Sequence, residues 1–510
     1  MPSKNDMTGK NVQVLICGAG PSGLFLALVL TRLGVKVKIV ERHSGPAQQS
    51  RALVVHARSL EFYDELGLAE AVVDLGIEVR RGHFLVNGKE KAAFAFQDLG
   101  KGLSKYPFLL ALPQDIHEKF LVAELRKLGV EVNWGTALTS FDNHPDQVSC
   151  ALTHSTGEVE RLDVAYLAGC DGGSSVVREK LGIAFAGDSY AGLFYVADTE
   201  ADHAEPGLAL GFAHDEFYLT LPVRQTGMVR IIGLVPPAQA AQPDLSFADV
   251  AGHVAEAMHL TIRKVNWFST YHVHHRVADH FQKGRCFLVG DAGHVHSPVG
   301  AQGMNTGLVD GMNLGWKLAS VLSGKLKPEF LATYDQERRA FANQLVKTTD
   351  TAFSRVIDTR WLMKQLRESI APPLLSMALR IGAFRRFMFL TVSQTRVSYR
   401  QSALSAGQAG GLQGGDRLAY LASLDNHMSL RLLDWQVHVY GAASPEFVAA
   451  CSTAGVVLQI YAWNEDCAAK GFLKDAAYLV RPDGHVGLAL PRPRGAELRA
   501  YLLKVGVAAR

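Results

Sequence analysis

The chain has little of what marks several large classes of protein. It contains 510 residues but only six cysteines, and no two of these are spaced as a metal knuckle or a redox pair. The first ten residues, MPSKNDMTGK, are polar and contain no apolar signal core. These absences favour a reducing, cytoplasmic location in which each cysteine is a small buried hydrophobe.

Concentrated positive charge and uninterrupted apolar runs are also missing. The net charge is +3 at pH 7 and the basic residues are scattered, so we expect no nucleic-acid partner. The longest uncharged runs, VQVLICGAGPSGLFLALVL and FVAACSTAGVVLQIYAW, are broken by glycine and small polar residues. A buried strand followed by a helix explains both runs better than a membrane span, so we expect no membrane partner.

The first chemical signal is a glycine-rich turn at residues 18–23. The apolar run NVQVLIC leads into GAGPSG, an apolar helix follows, and a second strand, VKVKIVE, ends at Glu41. In this order the first glycine permits a tight turn, the second admits a pyrophosphate, and the third lets helix and strand pack closely. Glu41 would accept hydrogen bonds from an adenosine ribose. The sequence thus predicts a dinucleotide site, for FAD or for a nicotinamide nucleotide.

Two further apolar strands end in a glycine and an acid. VAYLAGCDGGSS carries an Asp-Gly pair at 171–172, and RCFLVGDAGHVHSPVGAQGMNTG carries a Gly-Asp pair at 290–291. A glycine-rich loop follows the second pair, and a long helix is expected to begin near Met304. Open α/β sheets bind ligands at the carboxyl ends of their strands. This is where all three acids, Glu41, Asp171 and Asp291, are predicted to lie.

Together these motifs resemble a known family. GAGPSG with Glu41 and Arg42, GCDGGSSVVR, and GDAGHVHSPVGAQGMNTG are similar to motifs of FAD-dependent aromatic hydroxylases with the p-hydroxybenzoate hydroxylase fold. The nearest likeness is to the branch of pentachlorophenol, resorcinol-type and aromatic-polyketide monooxygenases. It extends along the chain through SRALVVHARSLEFYDELGL, LPQDIHEKFL and YLVRPDGHVGLAL. The resemblance implies an α/β protein with a Rossmann-like FAD-binding domain, an inserted β-rich substrate domain and a thioredoxin-like C-terminal domain.

The resemblance also implies roles for individual residues. Asp291 would bind the FAD ribityl chain, Arg51 the pyrophosphate, and Gln114 the ribityl or phosphate groups. Pro298 and Gly300 would form the environment in which the flavin reacts. The predicted cofactor-binding residues are Gly18, Gly20, Pro21, Ser22, Gly23, Glu41, Arg42, Arg51, Gln114, Asp171, Gly172, Gly290, Asp291, Pro298, Gly303, Met304 and Asn305.

The activity implied is hydroxylation of a phenolic or polycyclic aromatic substrate with O2 and NADPH or NADH, through a flavin C4a-hydroperoxide. Two alternatives stay open: a same-fold flavoenzyme performing a Baeyer–Villiger or other oxidation, and a nucleotide-fold binding protein without turnover. The intact Asp291 and the full loop after it argue against the second alternative. The sequence shows no Ser-His-Asp or zinc pattern, so we predict no metal.

The order of motifs suggests how the domains are arranged. We predict an FAD-binding domain from residues 10–85, 110–188 and 280–365, and a substrate domain from 86–109 and 189–279. A helical bridge and linker would span 366–408, with SAGQAGGLQGGDRL as glycine-rich linker. The thioredoxin-like domain would span 409–510. Its two cysteines are too far apart for a C-x-x-C pair, so this tail is predicted to be structural or to form a homodimer.

Polar residues of the β-rich segment are candidates for the substrate pocket. These candidates are His214, Tyr218, Arg224, Arg230 and His272. The spacing of His272, His274 and His275 cannot place all three side chains on one strand face, which excludes a metal cluster there.

Two expectations concern the glycine-rich loop and the helix after it. We predict that His294 and His296 shape the loop by hydrogen bonding rather than by taking part in the chemistry. A glycine inside a helix costs up to about 1 kcal/mol against alanine. Gly311 is therefore expected to mark a close approach of a neighbouring element.

Overall fold

A computed structural model describes residues 12–47, 52–202, 207–213, 216–224, 227–240, 242, 244–251, 254–297, 299–357 and 369–507. Three of the predicted site residues, Arg51, His214 and Pro298, lie outside these described residues. Among the residues that are described, no helix is both long and apolar enough to cross a membrane.

A six-stranded sheet, here called the parallel sheet, carries the glycine and acid motifs. Its strand order is Gln282–Lys283, Cys286–Leu288, Tyr166–Gly169, Val14–Cys17, Val37–Glu41 and Val132–Trp134, and only the first pair is antiparallel. The runs CFL, YLAG and VLIC are entirely buried, as expected for strands covered on both faces. The strands that end in the three motifs are therefore neighbours.

Two long helices pack closely beside this sheet, Pro21–Arg32 and Gly303–Leu322. A Cβ placed on Gly311 would lie 3.2 Å from Cδ1 of Phe25, and one on Gly315 would lie 2.6 Å from Cγ1 of Val29. The prediction that Gly311 marks a close approach is confirmed. The other helices of this half of the chain are Ala57–Glu65, Ala69–Asp74, Phe96–Gly100, Gln114–Lys127, Val176–Lys180 and Ala332–Ile357, with 3₁₀ turns at Gly290–Ala292, Val299–Ala301 and Pro328–Leu331.

An eight-stranded sheet forms the β-rich part of the molecule. Its strand order is His294–Val295, Thr261–Ala278, Phe185–Asp202, Met228–Leu234, Glu216–Pro222, Leu208–Ala213, Arg81–Val86 and Lys89–Ala95. The segment FLVNGKEKAAFAF forms the hairpin that joins the last two strands. Two short helices, Phe247–Val250 and Val254–Ala257, cover one face. Two three-stranded sheets complete this half: Val159–Val164, Val148–His154 and Thr136–Asn143, and Val54–Val55, Leu109–Ala111 and Ile77–Val79.

The carboxyl-terminal part begins with helices Ala371–Ala378 and Gly382–Val392 and then forms its own sheet, here called the tail sheet. Its strand order is Leu412–Gln413, Ala406–Ala409, Val486–Leu490, Ala477–Val480, Gln436–Tyr440 and Val457–Tyr461. Helices Pro445–Thr453, Glu465–Ala469 and Gly495–Val505 and the 3₁₀ turn Met428–Leu432 complete it.

The prediction that SAGQAGGLQGGDRL is a linker is wrong. Residues 406–409 and 412–413 are strands of the tail sheet. The glycines serve close approach rather than flexibility, since a Cβ on Gly407 would lie 2.2 Å from the carbonyl oxygen of Ala489. Glycine-rich composition alone does not separate these two uses.

Candidate functional site

The three motif acids meet at one edge of the parallel sheet. Glu41 is the last residue of its strand, Asp171 follows Gly169 by two residues, and Asp291 lies in the turn after Cys286–Leu288. Because these strands are parallel and neighbouring, their carboxyl ends open on the same cleft. This spatial arrangement is the one that the sequence predicts.

The glycine turn at 18–23 has two structural glycines and one that faces open space. Gly18 has φ +106°, and a Cβ there would lie 2.3 Å from the carbonyl oxygen of Cys170. A Cβ on Gly23 would lie 2.1 Å from the carbonyl oxygen of Gly18, whereas one on Gly20 meets nothing within 4 Å. We call these glycines and the amino terminus of helix Pro21–Arg32 the cradle.

The cradle has the properties of an anion site. No side chain caps the first turn of helix Pro21–Arg32, so its first backbone N–H groups are available to a ligand. The hydroxyl side of Ser22 packs inward, where a Cβ on Gly290 would lie 2.5 Å from its Oγ. The open space at Gly20 is therefore the part of the cradle that fits a pyrophosphate.

A cavity of about 730 Å³ adjoins the cradle. Glu41 lies in its wall and accepts hydrogen bonds from the backbone N–H groups of Ala19 and His43, at 2.9 and 3.0 Å. Each carboxylate oxygen keeps further acceptor capacity for a ribose hydroxyl. Arg42 is exposed beside it. The cavity is lined by Ala19, Gly20, Glu41, His43, Ser44, Gly45, Pro46, Ala47, Glu118, Lys119 and Trp134.

Gln114 supports this cavity rather than pointing freely into it. Its Nε2 donates to Oε1 of Glu118 at 2.8 Å, and the other oxygen of Glu118 accepts from the N–H of Ala47 at 3.1 Å. Burial raises the pKa of the Glu118 carboxyl. Gln114 therefore orients an acid that holds the segment around the cavity.

Asp171 is used by the fold itself. Its carboxylate accepts from Ser175 Oγ at 2.5 Å and from the N–H of Val177 at 3.1 Å, which caps the short helix Val176–Lys180. The next residue, Gly172, has φ +79°. What this loop offers a ligand is mainly backbone.

The loop after the third strand is held by a residue that the sequence did not single out. Asp310 Oδ2 accepts from the N–H of Gly290 at 3.0 Å and pairs with Nε2 of His294 at 2.7 Å. Its other oxygen accepts from Nε of Arg338 at 2.5 Å. Burial alone would raise the pKa of Asp310, but Arg338 and His294 hold it at about 2. An aspartate inside the apolar helix LVDGMNLGWKLAS was the available signal.

Asp291 itself is exposed at the start of this loop. Desolvation by the surrounding protein atoms raises the pKa of its carboxyl, and the nearby His294 opposes that rise. His296 contacts the loop backbone, with Nδ1 2.9 Å from the carbonyl oxygen of Ser297. Together with the His294 contact to Asp310, this confirms that both histidines shape the loop by hydrogen bonding.

The side chain of Asn305 is fully occupied at the start of helix Gly303–Leu322. Its Oδ1 accepts from the N–H of His56 and from Ser59 Oγ, both at 2.8 Å. Its Nδ2 donates to the carbonyl oxygens of Val54 and Ala301 at 2.8 and 3.0 Å. The backbone of residues 303–305, with Met304 half-buried, is therefore what this helix end can present to a ligand.

The eight-stranded sheet has two distinct faces. The outer face packs on the short helices and includes Tyr218, whose hydroxyl donates to Glu216. Side chains alternate along a strand, so Leu219 and Leu221 point to the opposite, inner face. His272 lies between two inner-face residues, Tyr271 and Val273, and is exposed on the outer side.

Arg224 and Arg230 are bound in ion pairs. Arg224 donates to both oxygens of Asp115 at 3.0 and 3.1 Å. Arg230 is fully buried and donates to both oxygens of Asp198 at 2.7 and 2.9 Å. Arg230 pairs in register with Leu221 and so lies on the inner face, whereas Tyr218 and His272 lie on the outer face. Strand alternation therefore keeps these three candidates from lining one pocket.

The inner face carries an apolar surface that sequence reasoning missed. Leu219 contacts both this surface and the large core cluster that includes the parallel sheet, so the inner face is the one that turns toward that core. Ring centroids lie 5.4 Å apart for Phe84 and Phe212 and 5.9 Å apart for Phe194 and Tyr271. We call it the aromatic wall; its members are Phe84, Tyr190, Phe194, Leu210, Phe212, Phe217, Leu219, Leu234, Tyr271 and Val273. The alternation in LALGFA and EFYLTLP was the signal for it.

Comparison with known proteins gives consistent relatives. The chain is 37% identical over 365 residues to 6-methylpretetramide 4-monooxygenase of Streptomyces rimosus, which covers 71% of this chain and only 63% of that relative's length. It is 33% identical over 368 residues to dialkyldecalin synthase of Streptomyces rugosporus, covering 69% and 76%. The solved structure of OxyS anhydrotetracycline hydroxylase from Streptomyces rimosus matches with a TM-score of 0.79 at 27% identity, over 98% of this chain and 100% of that one.

The cofactor follows from the family. The model of the FAD binding domain matches residues 11–349, which include the cradle, the three acids and the helix at 303–322. The cradle, the adjoining cavity and Glu41 fit a dinucleotide, so the prediction of FAD is confirmed. Since the match spans more than half of the chain, this protein belongs to the FAD binding domain family.

Proposed function

We propose that the protein is an FAD-dependent monooxygenase that hydroxylates a phenolic or polycyclic aromatic substrate, with O2 and NADPH or NADH as co-substrates. The observation that carries this proposal is the aromatic wall. Five of its side chains are half-buried and pack on its buried members: Phe84, Tyr190, Leu210, Leu219 and Tyr271. A planar ring gains apolar contact and ring stacking on such a surface, without needing a charged partner.

Within this proposal the cradle and the acids bind the cofactor. The backbone at Gly20 and the helix at Pro21 would take the pyrophosphate, Glu41 the adenosine ribose, and Asp291 the ribityl chain. The backbone of residues 303–305 would face the flavin ring, where the positive end of a helix favours negative charge on the ligand. Bound FAD would supply the redox chemistry.

The remaining predicted residues have lesser parts. Arg42, Gln114, Asp171 and Gly172 would border the cofactor, and the contacts of Gln114 and Asp171 make them supports of the loops. The roles of Arg51 and Pro298 stay predictions. The aromatic wall would position the substrate and keep water from the reacting atoms.

The tail is proposed to be a thioredoxin-like domain without thiol chemistry. Its strand, helix, strand order followed by a hairpin and helix Gly495–Val505 supports the fold assignment. Cys451 and Cys467 are buried, and burial raises the pKa of the Cys451 thiol to about 11. A buried thiol with so high a pKa is not a nucleophile at neutral pH. The division into domains given from the sequence, a homodimer and a cytoplasmic location likewise remain proposals.

The test is a screen of phenols and polycyclic aromatic compounds for stimulated oxidation of NADPH and NADH by the FAD-loaded protein, with product masses. Stimulation with one oxygen atom added as a ring hydroxyl supports the proposal. Oxygen inserted into a carbon–carbon bond identifies a Baeyer–Villiger enzyme and overturns it. An isomerised product, or no compound that stimulates oxidation, also overturns it. Leu219→Ala, on the aromatic wall, should raise KM, whereas its outer-face neighbour Tyr218→Phe should not.

A further inference from the structure

The turn between strands Ala477–Val480 and Val486–Leu490 of the tail sheet is unusually buried. Residues 481–485, with the sequence RPDGH, are here called the tail turn. Arg481, Asp483 and His485 are 0%, 1% and 2% exposed. Charged side chains are almost never buried so completely unless they are paired. Their partners show what the turn does.

The first partner is Glu337 of helix Ala332–Ile357, which in turn binds two residues of helix Gly303–Leu322. Arg481 donates to both oxygens of Glu337, at 2.8 and 3.0 Å. The same carboxylate accepts from Nζ of Lys317 at 2.8 Å and from Nδ2 of Asn313 at 2.7 Å. Asp483 completes the charge balance by accepting from Arg481 at 2.6 and 3.0 Å. Through Glu337, the tail turn is thus linked to helix Gly303–Leu322, whose first turn contains Asn305.

A second partner lies on helix Ala57–Glu65. Nη2 of Arg58 donates to the carbonyl oxygen of Asp483 at 2.6 Å, and Nη1 donates to Oε2 of Glu61 at 2.9 Å. Arg58 is only 3% exposed, so its position depends on these acceptors. The tail turn therefore contacts the first turn of this helix as well.

Helices Ala57–Glu65 and Gly303–Leu322 meet at residues 300–305. The N–H of His56 and Ser59 Oγ both donate to Asn305 Oδ1. Nε2 of His56 lies 2.7 Å from the carbonyl oxygen of Gly300. Arg58 lies between His56 and Ser59 in sequence. A shift of Arg58 would consequently be transmitted to Asn305 and to Gly300.

We propose that the tail turn is a positioning element for the flavin ring: Arg481 and Asp483 fix the relative placement of the two helices that hold residues 300–305. Neither residue lines the cavity beside the cradle. The inference rests on the proposed placement of the ring at the start of helix Gly303–Leu322. It gives the tail a function in the FAD site that needs no thiol.

The test compares three variants of the full chain. Arg481→Gln removes the positive charge between Glu337 and Asp483, and leaves Lys317 beside Glu337 and His485 beside Asp483. Arg481→Lys keeps the charge but loses the two-pronged contact to Glu337. Arg400→Gln is the matched control, because Arg400 also donates to both oxygens of an acid, Asp416, at 2.6 and 3.0 Å but is half-exposed.

The readouts are the FAD dissociation constant, the visible absorption and circular dichroism of the bound flavin, and the thermal midpoint of the FAD-free protein. We expect Arg481→Gln to weaken FAD binding by about tenfold or more and to change the flavin spectrum. Arg481→Lys should lie between it and the wild type, and Arg400→Gln should match the wild type. Should Arg481→Gln not fold, Arg481→Lys carries the test through its spectrum.

Wild-type FAD affinity and spectrum in Arg481→Lys and in any folded Arg481→Gln would overturn the inference. A lowered thermal midpoint with an unchanged flavin spectrum would overturn it too, since that would show a purely structural role. These readouts need no substrate. A protein that fails to hydroxylate any phenol yet shows the altered flavin spectrum would contradict the proposed function and support the positioning role.

Discussion

The cradle and the aromatic wall are built in opposite ways. The cradle presents backbone, and its glycines are present because a Cβ would strike backbone atoms or fill the ligand space, as at Gly23 and Gly20. The wall presents side chains contributed by strands as far apart in sequence as Arg81–Val86 and Thr261–Ala278. A backbone site restricts each position in a short segment, whereas a side-chain wall requires only apolar residues at alternate positions.

The largest expected effect tests the cradle with two matched glycine changes. Gly23→Ala should abolish FAD-bound protein, because its Cβ would lie 2.1 Å from the carbonyl oxygen of Gly18. Gly20→Ala should fold normally, since its Cβ meets nothing within 4 Å, yet bind FAD at least about tenfold more weakly because the methyl group enters the pyrophosphate space. FAD titration followed by flavin fluorescence measures both. Wild-type affinity in Gly20→Ala would contradict this placement of the pyrophosphate.

The next effect compares the stability contributed by a buried acid, Asp310, with that of an exposed acid on the eight-stranded sheet, Asp202. Asp310→Ala leaves the buried Arg338 without its main counter-ion and releases Gly290, so the free energy of unfolding should fall by about 3–5 kcal/mol. Asp202 pairs with Arg263 at the exposed end of the eight-stranded sheet, and Asp202→Ala should cost about 0–1 kcal/mol. Urea titrations of both variants measure the difference. Equal losses would mean that Asp310 does not anchor the loop.

A smaller effect concerns the pH dependence of stability at His56, which contacts the carbonyl oxygen of Gly300. Burial lowers the pKa of His56 from 6.5 to about 4, so His56 is neutral in the folded protein. Between pH 6.5 and 4 the unfolded chain binds a proton there that the folded chain does not, and this contribution to stability is lost as the pH falls. His56→Gln should therefore make the slope of unfolding free energy against pH shallower by about 1 kcal/mol per pH unit in this range.

The control for this measurement is His144→Gln, at an exposed position, which should leave the slope unchanged. Urea titrations at several pH values give the slopes. An identical slope in His56→Gln and the wild type would show that His56 does not stay neutral when the pH falls.

The smallest effect tests the aromatic wall with neighbouring residues on one strand. Leu219→Ala removes inner-face contact and should raise KM for the aromatic substrate by about tenfold, with FAD affinity unchanged. Tyr218→Phe, on the outer face, should change neither quantity. Steady-state kinetics with the best substrate from the screen provide the values. A larger KM increase in Tyr218→Phe than in Leu219→Ala would reverse our assignment of the two faces.

Much of the cradle could be predicted from the sequence, and little of the wall or of its supports. Glu41, Asp171 and Asp291 follow short apolar runs directly, and strand order at an α/β sheet brings such residues together. The polar candidates Tyr218 and His272 were chosen by residue type, and strand alternation places them on the outer side. Glycine content also misled at 406–413, where the chain forms strands.

The sequence by itself determined the cradle, because glycine sterics and the strand, turn, helix geometry act within about twenty residues of chain. Only the tertiary structure decided which charges support it. Arg58 and Asp483 are 425 positions apart, and the partners Asp310 with Arg338 and Arg481 with Glu337 lie on separate elements. No local pattern encodes such pairs, since a buried charge requires a partner in space and not at any fixed distance along the chain.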